Sequence, residues 1–263
     1  MAETLSVRGR RRKILELIQS AGYMPIETLV SGFKVTPQTI RVDLNALADE
    51  GLLVRHHGGA SIPSSVINTD YDARRSEFAG VKSNLAKAVA ASIPDRSAVF
   101  IALGTTMLAV AAALTVRSGL KIITNNLEAA QVLAKQAGFE VIVLGGRLDP
   151  RNLGTSGPLA LETVSNYRPD VCIFSAGGID HEGHFLDYYE YEAALVRQMI
   201  KSSRKSILVV DHSKFGRSAS VMLGHVAQID QLFTDKEPSA ALKEQLKSGK
   251  TQLCKIVTKP GSA

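Results

Sequence analysis

Cysteine is nearly absent from this chain: Cys172 and Cys254 are the only two among 263 residues. Each sits in a short apolar run of strand character, which points to buried free thiols rather than a disulfide or a thiolate metal pair. Long apolar runs are missing too. No stretch reaches the roughly 18 to 20 residues that a membrane span needs, and Met1 to Val7 lacks the charged-then-apolar order of a secretion signal. The expectation is a cytoplasmic chain with no membrane partner. What remains, 45% hydrophobic and 21% charged residues, is ordinary globular composition, enough for a small domain plus a medium one.

Acidic residues are in deficit, with a formal net charge of +6. The excess is concentrated: Arg8, Arg10, Arg11, Arg12 and Lys13 crowd the amino terminus with only Glu3 nearby. Three helical patterns follow. Ile14, Leu15, Leu17 and Ile18 recur at helical spacing between Arg11 and Ala21, and Gly22 closes the segment. Pro25 opens a second pattern of Ile26, Leu29, Val30 and Phe33. Thr36 is suited to cap a third helix, Thr36 to Glu50, with Pro37 in its first turn, where a missing N–H costs nothing.

Ile40, Leu44 and Leu47 fall on one side of that third helix and predict its buried face. Gln38, Val42, Asn45 and Asp49 lie opposite, flanked by Thr39 and Arg41. Side-chain amides at Gln38 and Asn45 suit adenine, and Arg41 suits guanine or phosphate. The helix start at Thr36 offers backbone N–H groups to a phosphate. Beyond Gly51, the run Leu52, Leu53, Val54 leads to Arg55, His56, His57 and the pair Gly58-Gly59, which predicts a wing with a basic tip. Residues 1–60 therefore read as a winged helix-turn-helix for double-stranded operator DNA, with Arg11, Arg12, Thr36, Gln38, Thr39, Arg41, Val42, Asn45, Arg55, His56 and His57 as candidate contacts. Adjacent histidines without further ligands do not make a metal site.

The string Val35-Thr36-Pro37-Gln38-Thr39-Ile40-Arg41-Val42-Asp43-Leu44-Asn45, followed by Arg55-His56-His57-Gly58-Gly59-Ala60, resembles the amino-terminal signature of the DeoR family of bacterial sugar-metabolism repressors. The likeness continues through Pro63-Ser64-Ser65, Asn68-Thr69 and Asp211-His212-Ser213-Lys214-Phe215-Gly216-Arg217, from Arg12 to about Asp235. Family members usually carry a second basic residue where this chain has Val42. A valine cannot hold a phosphate but can pack on a thymine methyl.

Residues 61–79 mix Pro, Ser, Asn, Asp and Arg without either period and are expected to link two domains. Residues 80–258 then alternate helical stretches with apolar runs: Ala98 to Ala102, Leu120 to Thr124, Glu140 to Leu144, Asp170 to Ser175 and Ser206 to Val210. Such alternation predicts an α/β domain with a mostly parallel sheet, leaving 259–263 as a tail.

Ligands gather at the carboxyl ends of such strands. The residues there are Gly104, Thr105 and Thr106; Asn125 and Asn126; Gly145 and Gly146; Gly177, Gly178 and Asp180; and Lys214. With Glu192, they offer anion donors, amides and carboxylates suited to a short polyol phosphate. Glu192 fits equally well as a residue favouring a helix amino terminus, before the helix expected at Ala193 to Ile200. The resemblance implies the same ligand class. It implies a sensor domain related to sugar-phosphate isomerases such as ribose-5-phosphate isomerase, and a homo-oligomer, dimer or tetramer, whose operator binding is relieved by a phosphorylated sugar or polyol, glycerol 3-phosphate favoured.

No cofactor or metal is expected, and no enzyme activity. His181-Glu182-Gly183-His184 reads as a turn, and Asp211-His212-Ser213 cannot converge as a relay from one extended segment. An isomerase using Asp180, Glu192 and Lys214 would have no use for the winged module. A protein-binding scaffold is disfavoured by loops so suited to phosphate.

Overall fold

The computed structural model describes residues 6–21, 23–56, 58–62, 68 and 71–256. The chain divides into two compact units, Met1–Ser65 and Val66–Ala263.

In the first unit, α1 (Val7–Ala21), β1 (Tyr23–Pro25), α2 (Ile26–Phe33), α3 (Pro37–Asp49), β2 (Val54–His56) and β3 (Gly59–Ser61) follow in order. Three helices close on Ile14, Ile18, Leu29, Ile40 and Leu44, each no more than 1% exposed. Full burial of such a side chain is worth about 1.5–3 kcal/mol. Thr36 accepts from the Thr39 amide at 3.2 Å with Pro37 in the first turn, as the sequence predicts. Lys34, at φ 51°, makes the left-handed turn out of α2.

Two features differ from expectation. Helix α1 begins at Val7 rather than Arg11, so Arg8 and Arg10 are helical as well. The wing is a three-stranded sheet in the order β1, β3, β2, with Tyr23 opposite Ser61 and Pro25 opposite Gly59. A strand of three residues is too short to show a period. It explains Gly59: a Cβ there would stand 2.4 Å from the Met24 carbonyl oxygen.

The second unit runs α4 (Tyr71–Ser76), α5 (Ala79–Ser92), β4 (Ala98–Ile101), α6 (Thr105–Leu114), β5 (Lys121–Thr124), α7 (Leu127–Leu133), β6 (Glu140–Val143), β7 (Arg147–Asp149), β8 (Gly154–Ser156), α8 (Pro158–Ser165), β9 (Val171–Phe174), β10 (Gly178–Ile179), β11 (His184–Asp187), α9 (Glu190–Ser202), β12 (Ser206–Val209), β13 (Val221–His225), β14 (Gln231–Thr234), α10 (Ala240–Ser248) and β15 (Gln252–Lys255). Seven strands make a parallel sheet in the order β15, β14, β12, β9, β4, β5, β6. The central strands are buried throughout, and the edge strands β6 and β15 are not, as expected when helices cover both faces. Cys172 in β9 is buried, Cys254 in β15 is half-buried, and both are free thiols.

The five expected strands are present within a residue or two, and β14 and β15 extend the sheet. Helix α4 occupies part of the expected linker. Tyr71 is buried there and donates to Glu128 at 2.7 Å, while Arg75 meets the same carboxylate at 2.8 Å. Helix α9 begins at Glu190 rather than Ala193, so Glu190 and Glu192 lie in its first turn. Among the described residues, no helix is long and apolar enough to cross a membrane.

Candidate effector site and DNA-binding face

From β4 the chain passes to β5 and β6 on one side of the sheet, then returns to β9 on the other side of β4 and continues outward through β12. Between β4 and β9 the direction of winding reverses, which opens a crevice at the strands' carboxyl ends. A cleft lies there. Leu103, Gly104, Thr105 and Thr106 line it from the end of β4, and Ser175, Ala176 and Gly177 from the end of β9. Lys214 enters from the loop after β12, Tyr71 and Arg74 from α4, Lys82 from α5, and Asn152, Asp187, Tyr189 and Glu192 complete the wall.

Cations dominate one part of this wall. Lys82, 6% exposed, donates to the Thr105 hydroxyl at 3.2 Å and to the Arg74 carbonyl, so it is fixed against the first turn of α6. Burial lowers the Lys82 ammonium pKa. Burial also pushes Lys214 down to about 8; Asp211 opposes this, whereas Arg217, Arg74 and Lys82 reinforce it. Asp211 caps the turn before Lys214 by accepting from the Ser213 amide at 3.0 Å. His212 is anchored to Asp235 at 2.7 Å.

Carboxylates complete the wall. Burial, with Asp187 nearby, raises Glu192 to about 7, although the Asn152 amide donates to it at 3.0 Å. Asp187 is raised by burial as well. Cationic and carboxylate side chains thus line the same cleft, with hydrogen-bond donors and acceptors side by side.

Of the effector residues expected from sequence, Gly104, Thr105, Thr106, Gly177, Glu192 and Lys214 share this cleft. The other six lie elsewhere. Asn126 caps α7 by accepting from the Ala129 amide at 3.1 Å, and Asn125 donates to the Thr155 carbonyl at 3.1 Å. Both are buried beneath the β7–β8 hairpin, which bridges to Asn126 through Gly154. Gly145 packs against Leu159, and Gly146, at φ 135°, lies so close to Ser156 that a Cβ would meet its carbonyl at 2.3 Å. Gly178 lies against the Arg217 backbone. Asp180 caps the β10–β11 turn, accepting from the Glu182 and His184 amides at 3.0 and 2.8 Å.

On the first unit, Gln38, Arg41, Val42 and Asn45 form an exposed face of α3, with Val42 50% exposed. Thr36 is committed to its cap, where its hydroxyl also meets that of Thr39 at 2.9 Å. Arg12 is exposed and pairs with Glu16 at 3.0 Å. Arg11 has an internal partner instead: it joins Arg10 on the buried carboxylate of Asp43, at 2.9 and 2.6 Å. Arg55 stands in β2, not at the wing tip, and its guanidinium reaches Asn45 of α3. His57 lies outside the described residues, as does the His56 side chain.

Residues 10–66 match the family described as DeoR-like helix-turn-helix domain, and residues 77–236 match that described as DeoR C terminal sensor domain. The chain belongs to the DeoR family. This DeoR-family chain is a DNA-binding transcriptional repressor and not an enzyme. It is 42% identical to the glycerol-3-phosphate regulon repressor of Escherichia coli (strain K12) over 93% of this chain and 97% of that protein. It is 43% identical to the glycerol-3-phosphate regulon repressor of Haemophilus influenzae, over 93% and 95%. Identity to the HTH-type transcriptional repressor CsqR of E. coli K12 is 41%, over 95% of each. Among solved structures, ribose 5 phosphate isomerase A from Neisseria gonorrhoeae aligns with 51% of this chain and 52% of its own at 17% identity and a TM-score of 0.38.

Among the residues lining the cleft of this DeoR-family repressor that sequence reasoning missed are Tyr71, Arg74, Lys82, Asn152, Asp187 and Tyr189. For Lys82 a signal was present. It precedes Leu85, Ala86 and Val89 by three, four and seven positions, so a lysine sits in the apolar stripe of α5.

Proposed function

We propose that this repressor silences a carbohydrate or glycerol catabolic operon, and that a phosphorylated sugar or polyol in the switch-point cleft relieves its grip on the operator. Arg74, Lys82 and Lys214 converging on a cleft with the first turn of α6 is the observation that carries this reading. A phosphate there meets three cations, two threonine hydroxyls and free helix N–H groups. Asn152, Asp187 and Glu192 are left for hydroxyls. Glycerol 3-phosphate is the favoured effector because two relatives at 42% and 43% identity are named for its regulon. No cofactor enters.

Operator recognition is assigned to the exposed face of α3, with the protein acting as a dimer or tetramer on a palindromic site. Val42→Arg adds a cation to that face. Its expected effect is a steeper salt dependence of operator binding, by roughly 0.9 in the slope of log affinity against log salt, together with a changed base preference. Matching salt slopes and preferences for the two proteins would remove Val42 from the DNA face.

Thermal unfolding of the full chain with glycerol 3-phosphate and a panel of sugar phosphates tests the sensor. At a ligand concentration of 100 times Kd the stabilisation is about 2.7 kcal/mol. No shift with any member would refute the reading.

Affinity is expected to depend on pH. A phosphate dianion favours charged Lys214, whose pKa in the empty protein is about 8, and is repelled once Glu192 ionises near 7. Arg74, Lys82, Arg217, Asp149, Asp187 and Asp211 are the charged groups around them. Binding therefore takes up protons, and affinity falls as pH rises from 7 to 9, roughly tenfold from discharge of Lys214 alone. Calorimetry across that range checks the sign; an affinity that rises with pH would contradict it.

A further inference from the structure

Leu53 and Arg55 are two residues apart at the start of the wing and share the face turned toward the helices. Leu53 is buried in the core of the unit. Arg55, one step further out, carries its guanidinium to the flank of α3, where Nη1 donates to Asn45 Oδ1 and lies 3.5 Å from the Arg41 carbonyl. Arg41 and Asn45 are four apart, one above the other on the exposed face of α3. The wing thus touches the proposed reading face at a side chain expected to meet a base.

An asparagine amide has two faces to offer, a carbonyl oxygen that accepts and an NH2 that donates. Bidentate pairing with adenine uses both at once, the oxygen toward N6 and the nitrogen toward N7. Arg55 can only donate, so it fixes which end of Asn45 turns toward the wing. The oxygen is held there, and the NH2 group leads outward.

We infer that Arg55 is a positioning residue for base readout: by holding Asn45 Oδ1 on the wing side it turns the amide NH2 outward, which favours the acceptor edge of guanine or thymine over bidentate pairing with adenine, where the oxygen must face N6. This rests on the reading of α3 as the recognition helix. It gives Arg55 a role different from a phosphate contact, which carries no sequence information.

Selection from a randomised duplex DNA pool at fixed salt, applied to the full-length protein and to Asn45→Ala, Arg55→Ala and Arg55→Lys, tests the inference. Wild type is expected to prefer guanine or thymine at one base pair of each half-site, by about 5- to 150-fold. Asn45→Ala flattens that position. Arg55→Ala shifts it toward adenine and leaves other positions unchanged, Arg55→Lys, which keeps a donor, retains more of the wild-type preference, and Arg55→Ala adds nothing to the profile of Asn45→Ala.

A uniform weakening by Arg55→Ala, with base preferences intact and the salt slope reduced by about one, would make Arg55 a phosphate ligand and overturn the inference while leaving α3 as the reader. Base preferences that Asn45→Ala leaves unchanged at every position would instead overturn the assignment of Asn45 to the reading face. The lysine variant keeps the charge and a donor, so preference restored by lysine ties the effect to the contact with Asn45 Oδ1, whereas a lysine variant that behaves as the alanine one in base preference would count against it.

Discussion

Lys214→Met is expected to leave operator binding intact and to make it indifferent to the effector. Lys214 stands on a loop whose backbone is fixed independently of it, by Asp211 on the Ser213 amide and by Asp235 on the His212 amide. The substitution keeps an unbranched side chain in place and removes the charge. In a partly buried site, loss of one charge-assisted partner of a bound anion costs about 2–4 kcal/mol, or roughly 30- to 900-fold in effector affinity. Titration of the effector against a labelled operator reads both quantities at once. Wild-type sensitivity in Lys214→Met would remove the lysine from the phosphate site, and weakened operator binding without effector would make its role structural.

Asp43→Ala is expected to remove a large part of the stability of the DNA-binding unit. The carboxylate is 1% exposed and accepts from Arg10 and Arg11, which arrive from α1 more than thirty residues away in sequence. Hydrogen bonds to charged groups contribute about 1.5–3 kcal/mol each. Both arginines retain some contact with water, their side chains being 13% and 30% exposed, so a loss of about 2–4 kcal/mol is expected for the pair. A unit of this size has roughly 3–10 kcal/mol in hand. Hydrogen exchange should therefore accelerate across α1, α2 and α3 and stay unchanged in α5 and α6, with Asp43→Asn falling between. Unchanged exchange in the three helices would show that the arginines do not hold them together.

The same aspartate marks where the sequence stopped being legible. Helices α1 to α3 could be read because Ile14, Ile18, Ile40, Leu44 and Leu47 repeat at the helical period and Thr36-Pro37 marks a start. Asp43 sits beside that stripe, and its burial depends on partners from another helix, which no local pattern reveals. The sheet was legible because Val171 to Phe174 and Ser206 to Val209 are short apolar runs buried on both faces. Position in the sheet was not. The rule that ligands meet strand ends selects every loop equally, whereas the observed order places the reversal between β4 and β9, so Gly104 to Thr106 and Gly177 border the cleft. The loops after β5 and β6 belong to the other arm of the sheet, and the β7–β8 hairpin covers Asn125 and Asn126. Tyr71 and Arg74 were hidden differently: a six-residue helix in a stretch rich in turn formers carries too little periodicity to be read.

Relief of repression requires coupling between two units of one chain, and one titration addresses it. Operator affinity of the full-length protein, measured at a single salt concentration with and without saturating glycerol 3-phosphate and each sugar phosphate of the panel, is predicted to fall roughly 5- to 150-fold with at least one of them, the range that typical allosteric coupling of about 1–3 kcal/mol supplies. An affinity that none of these phosphates changes would contradict it.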